Sequence, residues 1–164
     1  MASPAQTSVR FADHHDIIAV AKLLAAMDAH YRPGIRLPGD DEYADMVART
    51  ISTQEGTRFA LCHAQGKAVG LACFAILRPG RDRKGLLFVK DLFVRAEWRS
   101  QGLGRAMMRF LATFAVERGL GRIDLATDIG NEGAQRLYDE LGGTRRPAIH
   151  FTFADNVLRK LAQN

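Results

Sequence analysis

Two cysteines in 164 residues leave no disulfide framework to read. Cys62 and Cys73 each sit in an apolar segment, where a free thiol behaves as a small buried hydrophobe. If those segments pair through Gln65-Gly66-Lys67, the two positions fall out of register for a bridge, and neither is a candidate nucleophile. Long apolar runs are missing as well. The longest, Ala68 to Leu77, is far short of the roughly 20 residues that span a bilayer. Met1 to Thr7 shows no basic-then-apolar signal pattern, so a cytoplasmic protein with no membrane partner is expected. His14 and His15 have no further His or Cys at ligand spacing, so no metal is assigned and they read as solvated residues of a helix start. Repeats, low-complexity tracts and linkers are absent too, and the length suits one core: a single domain over 1–164.

What is present is an ordinary globular composition, 47% hydrophobic and 25% charged, which excludes a disordered chain. The net charge is +5, but the basic residues are scattered. Their one dense cluster, Arg78 through Lys84, lies in a Pro/Gly loop without interleaved aromatics. That reads as a solvated hairpin tip and not as a nucleic-acid surface. An anionic ligand would use part of the excess charge.

The most informative stretch is Lys90 to Arg105, read as strand, glycine-bearing loop and helix start. Ala106, Met107, Phe110, Leu111 and Phe114 fall at helical spacing, so the loop presents unpaired backbone N–H groups at a helix N-terminus, where anions bind. Gly102 and Gly104 allow left-handed backbone and close approach of a diphosphate, and Arg99 and Arg105 add charge. A Walker loop would need Lys-Ser/Thr where Arg105-Ala106 stands, and a dinucleotide fingerprint a third glycine where Met107 stands. The alternative is a plain strand-to-helix turn.

Around this stretch the patterning predicts β-α-α-β-β-β-α-β-α-β. The elements are a strand at Ser8 to Ala12, a helix capped by Asp13 with Ile17, Val20, Ala21, Leu24 and Met27 as its stripe, and a helix after Asp40-Asp41-Glu42 carrying Tyr43, Met46, Val47, Thr50 and Ile51. A hairpin follows at Arg58 to Ala64 and Lys67 to Leu77, with a third strand at Leu86 to Arg95. Arg122 to Thr127 is expected parallel to that strand through a right-handed crossover. A helix from Asn131 ends at Gly142-Gly143, Thr144 to Phe153 is strand-like, and Asp155 to Ala162 is a short helix. The acids Asp40 to Glu42 either cap their helix or, with Tyr31, line a pocket for a cation.

Arg99-x-x-Gly102-x-Gly104, followed at the right distance by Asn131-x-x-Ala134-x-x-Leu137-Tyr138-x-x-x-Gly142, resembles the GNAT superfamily of N-acetyltransferases over almost the whole chain. Leu86 to Val94 and Phe151 to Ala162 look most like its diamine and polyamine acetyltransferase branch. The resemblance implies an α/β (α+β) GNAT fold: a mixed sheet with helices on both faces, its parallel strands splayed by a bulge at the cofactor site. It implies acetyl-coenzyme A as co-substrate, a small-molecule amine as acceptor and a homodimer through sheet and tail contacts. Leu92, Phe93 and Val94 match the strand that pairs with the pantetheine arm, with Leu92 N–H the donor to the developing oxyanion. Arg99, Ser100, Gln101, Gly102, Leu103, Gly104 and Arg105 match the diphosphate loop. Asn131 matches a side chain near the pantetheine, and Tyr138 the residue beside the coenzyme sulfur. Two positions depart from the branch: Ala96 replaces a proline, and Lys90 replaces a glutamate next to Asp91.

The implied chemistry is direct attack of a primary amine on a thioester. An alkylammonium with a pKa near 10 must lose a proton first. Asp91 is the nearest carboxylate and, with an ordinary pKa of about 3.9, suits ordering a water or holding the ammonium better than direct abstraction, unless its role is structural. Tyr138 either protonates the leaving sulfur, hydrogen-bonds to it, or is a core aromatic. Protein lysine or N-terminal acetylation and a non-catalytic acyl-coenzyme A-binding module are the competing functions. Lys90 and Asp91 would face opposite sides of a regular strand, so whether Lys90 meets the acceptor turns on a bulge.

Overall fold

The computed structural model describes residues 7–53, 56–79 and 84–163. Among the described residues, five strands lie in sequence order in one sheet: β1 (Thr7–Phe11), β2 (Thr57–Ala64), β3 (Lys67–Leu77), β4 (Leu86–Val94) and β5 (Arg122–Leu125). The first four are antiparallel neighbours. β5 runs parallel to β4 because helix α3 (Leu103–Glu117) carries the chain back between them. The β2–β3 hairpin turns on Gln65 and Gly66, both at positive φ. Within it Cys62 faces Gly70 and Cys73 faces Phe59, so both thiols stay free and buried. Burial, with Asp91 as neighbour, pushes the Cys73 thiol up to about 11, which makes it a poor nucleophile at neutral pH.

Helices α1 (Ile17–Tyr31) and α2 (Asp40–Thr53) cover one sheet face, burying Val20, Leu23, Leu24, Tyr43 and Val47 with Leu61, Leu71 and Phe93. α3 covers the other, burying Met107, Leu111 and Phe114 with Phe74 and Leu87. The apolar spacing expected of α3 is therefore its core face, whereas Met46 of α2 is exposed. The short 3-10 turn His14–Asp16 that leads into α1 is fixed twice. Asp13 Oδ1 accepts His15 N–H at 2.8 Å and Asp16 Oδ2 accepts Asp13 N–H at 3.0 Å, a reciprocal capping box. Arg10 of β1 then grips Asp16 with two bonds of 2.6 and 2.7 Å and holds that carboxyl at about 2.

Two features set the site. Cys73 pairs with Asp91 and Phe74 with Val89, so Lys90 is an extra residue, a bulge on β4. It resets the alternation: Leu87, Val89, Leu92 and Val94 face α3, while Phe93 faces α1. In addition, β5 pairs with β4 only as far as Val89–Leu125, so Lys90 to Val94 keep one open edge. Part of the sequence reading is corrected. Residues 144–153 form no strand; they lie exposed between α4 (Glu132–Glu140) and α5 (Asp155–Ala162) and pair with no strand among the described residues. Of the basic cluster expected at a hairpin tip, residues 80–83 fall outside the described residues, as does most of the expected loose terminus.

Candidate active site

The end of β4, the loop after it and the start of α3 border an open cleft of about 1220 Å³. Arg99 Nε donates to Val94 C=O at 2.9 Å, and its guanidinium lies 5.8 Å from the Phe93 ring, which folds the loop back on the strand. That bond also orients β4. A strand residue points its N–H and C=O to one side, and alternate residues share that side, so Leu92 N–H turns to the open edge with Val94 C=O. The backbone of Phe93 turns to β3, and its contribution to the cleft is its side chain.

Gly102 caps α3 at φ 78° with open space where a Cβ would point. Ala106 N–H makes the first helical bond, to Gly102 C=O at 2.9 Å, so the N–H groups of Leu103, Gly104 and Arg105 have no intrahelical acceptor. Gly104 also has a packing task that its spacing did not suggest. A Cβ there would meet Leu137 Cδ2 of α4 at 3.0 Å, so this glycine lets α3 and α4 pack closely. Arg105 likewise pairs with Glu140 at 2.6 Å, tying α3 to α4. Gln101 turns away to Glu97 C=O at 3.4 Å and alone among the seven loop residues does not line the cleft.

Opposite the loop stand Asn131 and Tyr138. Asn131 Oδ1 accepts Ala134 N–H at 3.2 Å as the cap of α4, leaving its amide N–H groups for the cleft. Burial, with Tyr31 close by, pushes the Tyr138 phenol up, so it stays protonated at neutral pH. The third wall is made by α1, whose last turns bring Met27, His30 and Tyr31 beside Lys90 and Asp91. Owing to the bulge, Lys90 and Asp91 share a side, and Lys90 Nζ meets Asp91 Oδ2 at 2.7 Å. Burial alone would lower the Lys90 pKa, but this bond and the Asp91 charge outweigh it and raise it. Behind them Tyr43 donates to Asp28 at 2.6 Å and Arg32 pairs with Asp28 at 2.6 Å.

Every other candidate residue lines one cavity: Asp91, Leu92, Phe93, Val94, Arg99, Ser100, Gly102, Leu103, Gly104, Arg105, Asn131 and Tyr138. Tyr31 joins them, whereas Asp40, Asp41 and Glu42 lie in the first turn of α2 and do not. Met27, His30 and His150 were missed as lining residues. The signal for the first two was the α1 stripe itself, which continues from Met27 to His30 and Tyr31 at i+3 and i+4. Among the described residues, Asp13, His14 and His15 bring three ligand-capable atoms within 4.8 Å, exposed and away from the cleft; the Asp13 carboxylate is committed to its helix cap.

The cleft thus brings together an open strand edge, a glycine-capped helix start with free N–H groups and a protonated tyrosine. The family model described as Acetyltransferase (GNAT) family matches residues 23–143, and the chain belongs to that family, whose acetyl donor is acetyl-coenzyme A. The residues present fit that donor: the positive φ of Gly102 with no neighbour beyond it leaves a cradle that a side chain would fill. N-acetyltransferase family 8 member 3 of Rattus norvegicus is 29% identical over 118 residues, 70% of this chain and 51% of that one, so the chain spans about half the length of that relative. Aminoglycoside N(6')-acetyltransferase type 1 of Stenotrophomonas maltophilia is 29% identical over 114 residues, 68% of this chain and 72% of that one. The solved structure of an integron cassette protein from the mobile metagenome of V. cholerae superposes with a TM-score of 0.89 at 24% identity, covering 96% and 98% of the two chains, and shares the fold. Among the described residues, no helix is long and apolar enough to cross a membrane.

Proposed function

We propose that the chain transfers the acetyl group of acetyl-coenzyme A to a primary amine of a small molecule by direct attack. The observation that carries this reading is the free edge of β4 from Lys90 to Val94, aimed into a cleft with a helix N-terminus at one end and Tyr138 at the other. Two curated relatives, named for aminoglycosides and for thialysine, support a small amine as acceptor.

The thioester supplies an electrophilic carbonyl and a sulfur leaving group; the chain supplies the rest. The first-turn N–H groups of α3 receive the diphosphate, with Arg99 held close by. Leu92 N–H donates to the carbonyl oxygen as charge grows on it. Tyr138 stays protonated and donates a hydrogen bond to the departing sulfur, since a phenol with a raised pKa gives up its proton reluctantly to a thiolate near 8.5. Asp91, paired with Lys90, holds the ammonium and orders a water relay that carries its proton to solvent. The Lys90–Asp91 pair has no net charge, which favours a monoamine or an amino acid-like amine over a polyamine.

Thiol release followed while amines are screened tests the proposal, alongside melting curves with acetyl-coenzyme A, ATP and NAD. Turnover with small amines and a melting shift specific to the coenzyme are expected. A coenzyme shift without turnover on any amine would make this a binding module, and turnover on peptides alone would make it a protein acetyltransferase.

A further inference from the structure

An ammonium must lose a proton before its nitrogen can attack, and the side chains at the α1 wall of the cleft differ in whether they can take one. Lys90 is a cation with no lone pair, and it holds Asp91 Oδ2 at 2.7 Å. Asp28 is committed twice, accepting from Tyr43 at 2.6 Å and pairing with Arg32 at 2.6 Å. Tyr31 and Tyr138 offer phenols, which are feeble bases and donate instead. His30 is different. It lines the cleft from the last turn of α1, and among the described residues neither of its ring nitrogens forms a hydrogen bond. What holds the ring is contact with other rings: Tyr31 edge-on at 4.9 Å and Phe93 tilted at 6.3 Å, centroid to centroid. Phe93 directly follows Leu92, whose N–H turns to the open edge, so the imidazole is seated beside the strand segment that borders the reacting end.

We propose that His30 is the proton acceptor of the reaction, drawing the ammonium proton through the water that Asp91 orders, which rests on the acetyl-transfer reading and deepens it. The ammonium gives one proton through that water to the neutral imidazole, and the imidazolium releases it to solvent. The freed lone pair on nitrogen bonds to the carbonyl carbon, and the carbon–sulfur bond breaks with its electron pair going to sulfur. The second nitrogen proton passes through water to the thiolate, which Tyr138 holds by its hydrogen bond. The products are an amide, a thiol and one proton in solution. An imidazole suits this task because it is the side chain that takes up and releases a proton between about pH 5 and 8. The charged groups around it come as pairs, Lys90 with Asp91 from β4 and Asp28 with Arg32 from its own helix. Tyr138 of α4 borders the same cavity, as does a second imidazole, His150, on the exposed segment after α4.

Turnover as a function of pH tests the assignment, with saturating acetyl-coenzyme A and a panel of small amines that includes spermidine and lysine. Wild-type kcat is expected to rise with pH through an inflection between about pH 5 and 8, because the neutral imidazole is the active form. His30→Gln is expected to lower kcat about 100-fold at neutral pH and to abolish the inflection, while coenzyme affinity and melting temperature hold, since the side chain is exposed. Imidazole added to the buffer is expected to restore part of the rate of His30→Ala, which a merely structural loss would not show. His150→Gln is expected to keep the inflection. Amine turnover in which His30→Gln retains the wild-type inflection, His30→Ala gains nothing from imidazole, or His150→Gln loses the inflection overturns the role of His30 and leaves acetyl transfer standing. A wild type that binds the coenzyme and acetylates no amine overturns the acetyl-transfer reading, and this one with it.

Discussion

The two ends of the cleft are built by different means. The end proposed for the coenzyme is backbone: an open strand edge, a glycine cap and free N–H groups, all between Leu92 and Arg105. The end proposed for the acceptor is side chains from distant parts of the sequence: His30 and Tyr31 of α1 and Lys90 and Asp91 of β4, backed by the Asp28–Tyr43 bond that crosses from α1 to α2. A site made of backbone depends on a short local pattern, whereas a site made of side chains depends on the whole fold. The first is hard to change by one substitution without loss, and the second is adjustable.

Four measurements would break or sharpen that contrast. Tyr138→Phe is expected to lower kcat about 100-fold with little change in coenzyme affinity, because under the proposed function its hydroxyl acts on charge that develops at sulfur. An equal loss in binding and rate would assign it to the coenzyme end alone. A site remote from both ends provides the reference: Arg10→Ala should cost about 2 kcal/mol of stability without altering kinetics, since it frees Asp16 from about 2 toward its ordinary 3.8. The sign follows from a depressed carboxyl pKa. The contribution is complete above pH 3.8 and fades as pH falls toward 2, so wild type and variant should converge in melting temperature in that window. Gly102→Val is expected to weaken coenzyme binding about tenfold and to lower the melting temperature by roughly 2–8 °C, as left-handed backbone costs a branched residue roughly 1–2 kcal/mol although nothing stands near its Cβ. Calorimetry showing unchanged affinity would mean the loop is only a turn. The smallest effect is expected from Lys90→Glu, a several-fold shift in kcat/KM toward spermidine relative to an amino acid-like amine, with coenzyme affinity constant. An unchanged ratio would show that Lys90 does not meet the acceptor.

The same contrast explains what the sequence made legible. The loop from Arg99 to Arg105 and the Asn131–Tyr138 helix could be read because their geometry is local: a glycine at positive φ, a cap and a helical period. The bulge at Lys90 could not, because an extra residue is defined only by the register of β3 against it. Nor could the tasks of Gly104 and Arg105, which are set by Leu137 and Glu140 more than thirty residues away. Residues 149–153 carry the alternation of a strand, and that reading failed in the single chain because a strand also requires an edge to pair with.

The extra residue in β4 has a consequence for divergence. Lys90 has no counterpart in β3, so the ladder places no demand on its identity, yet its side chain borders the cleft. A change there alters the bond to Asp91 and the lining of the cleft without touching the Leu92–Val94 edge or the core. Under the proposed function, that would let a lineage exchange acceptors while its acetyl donor stays the same.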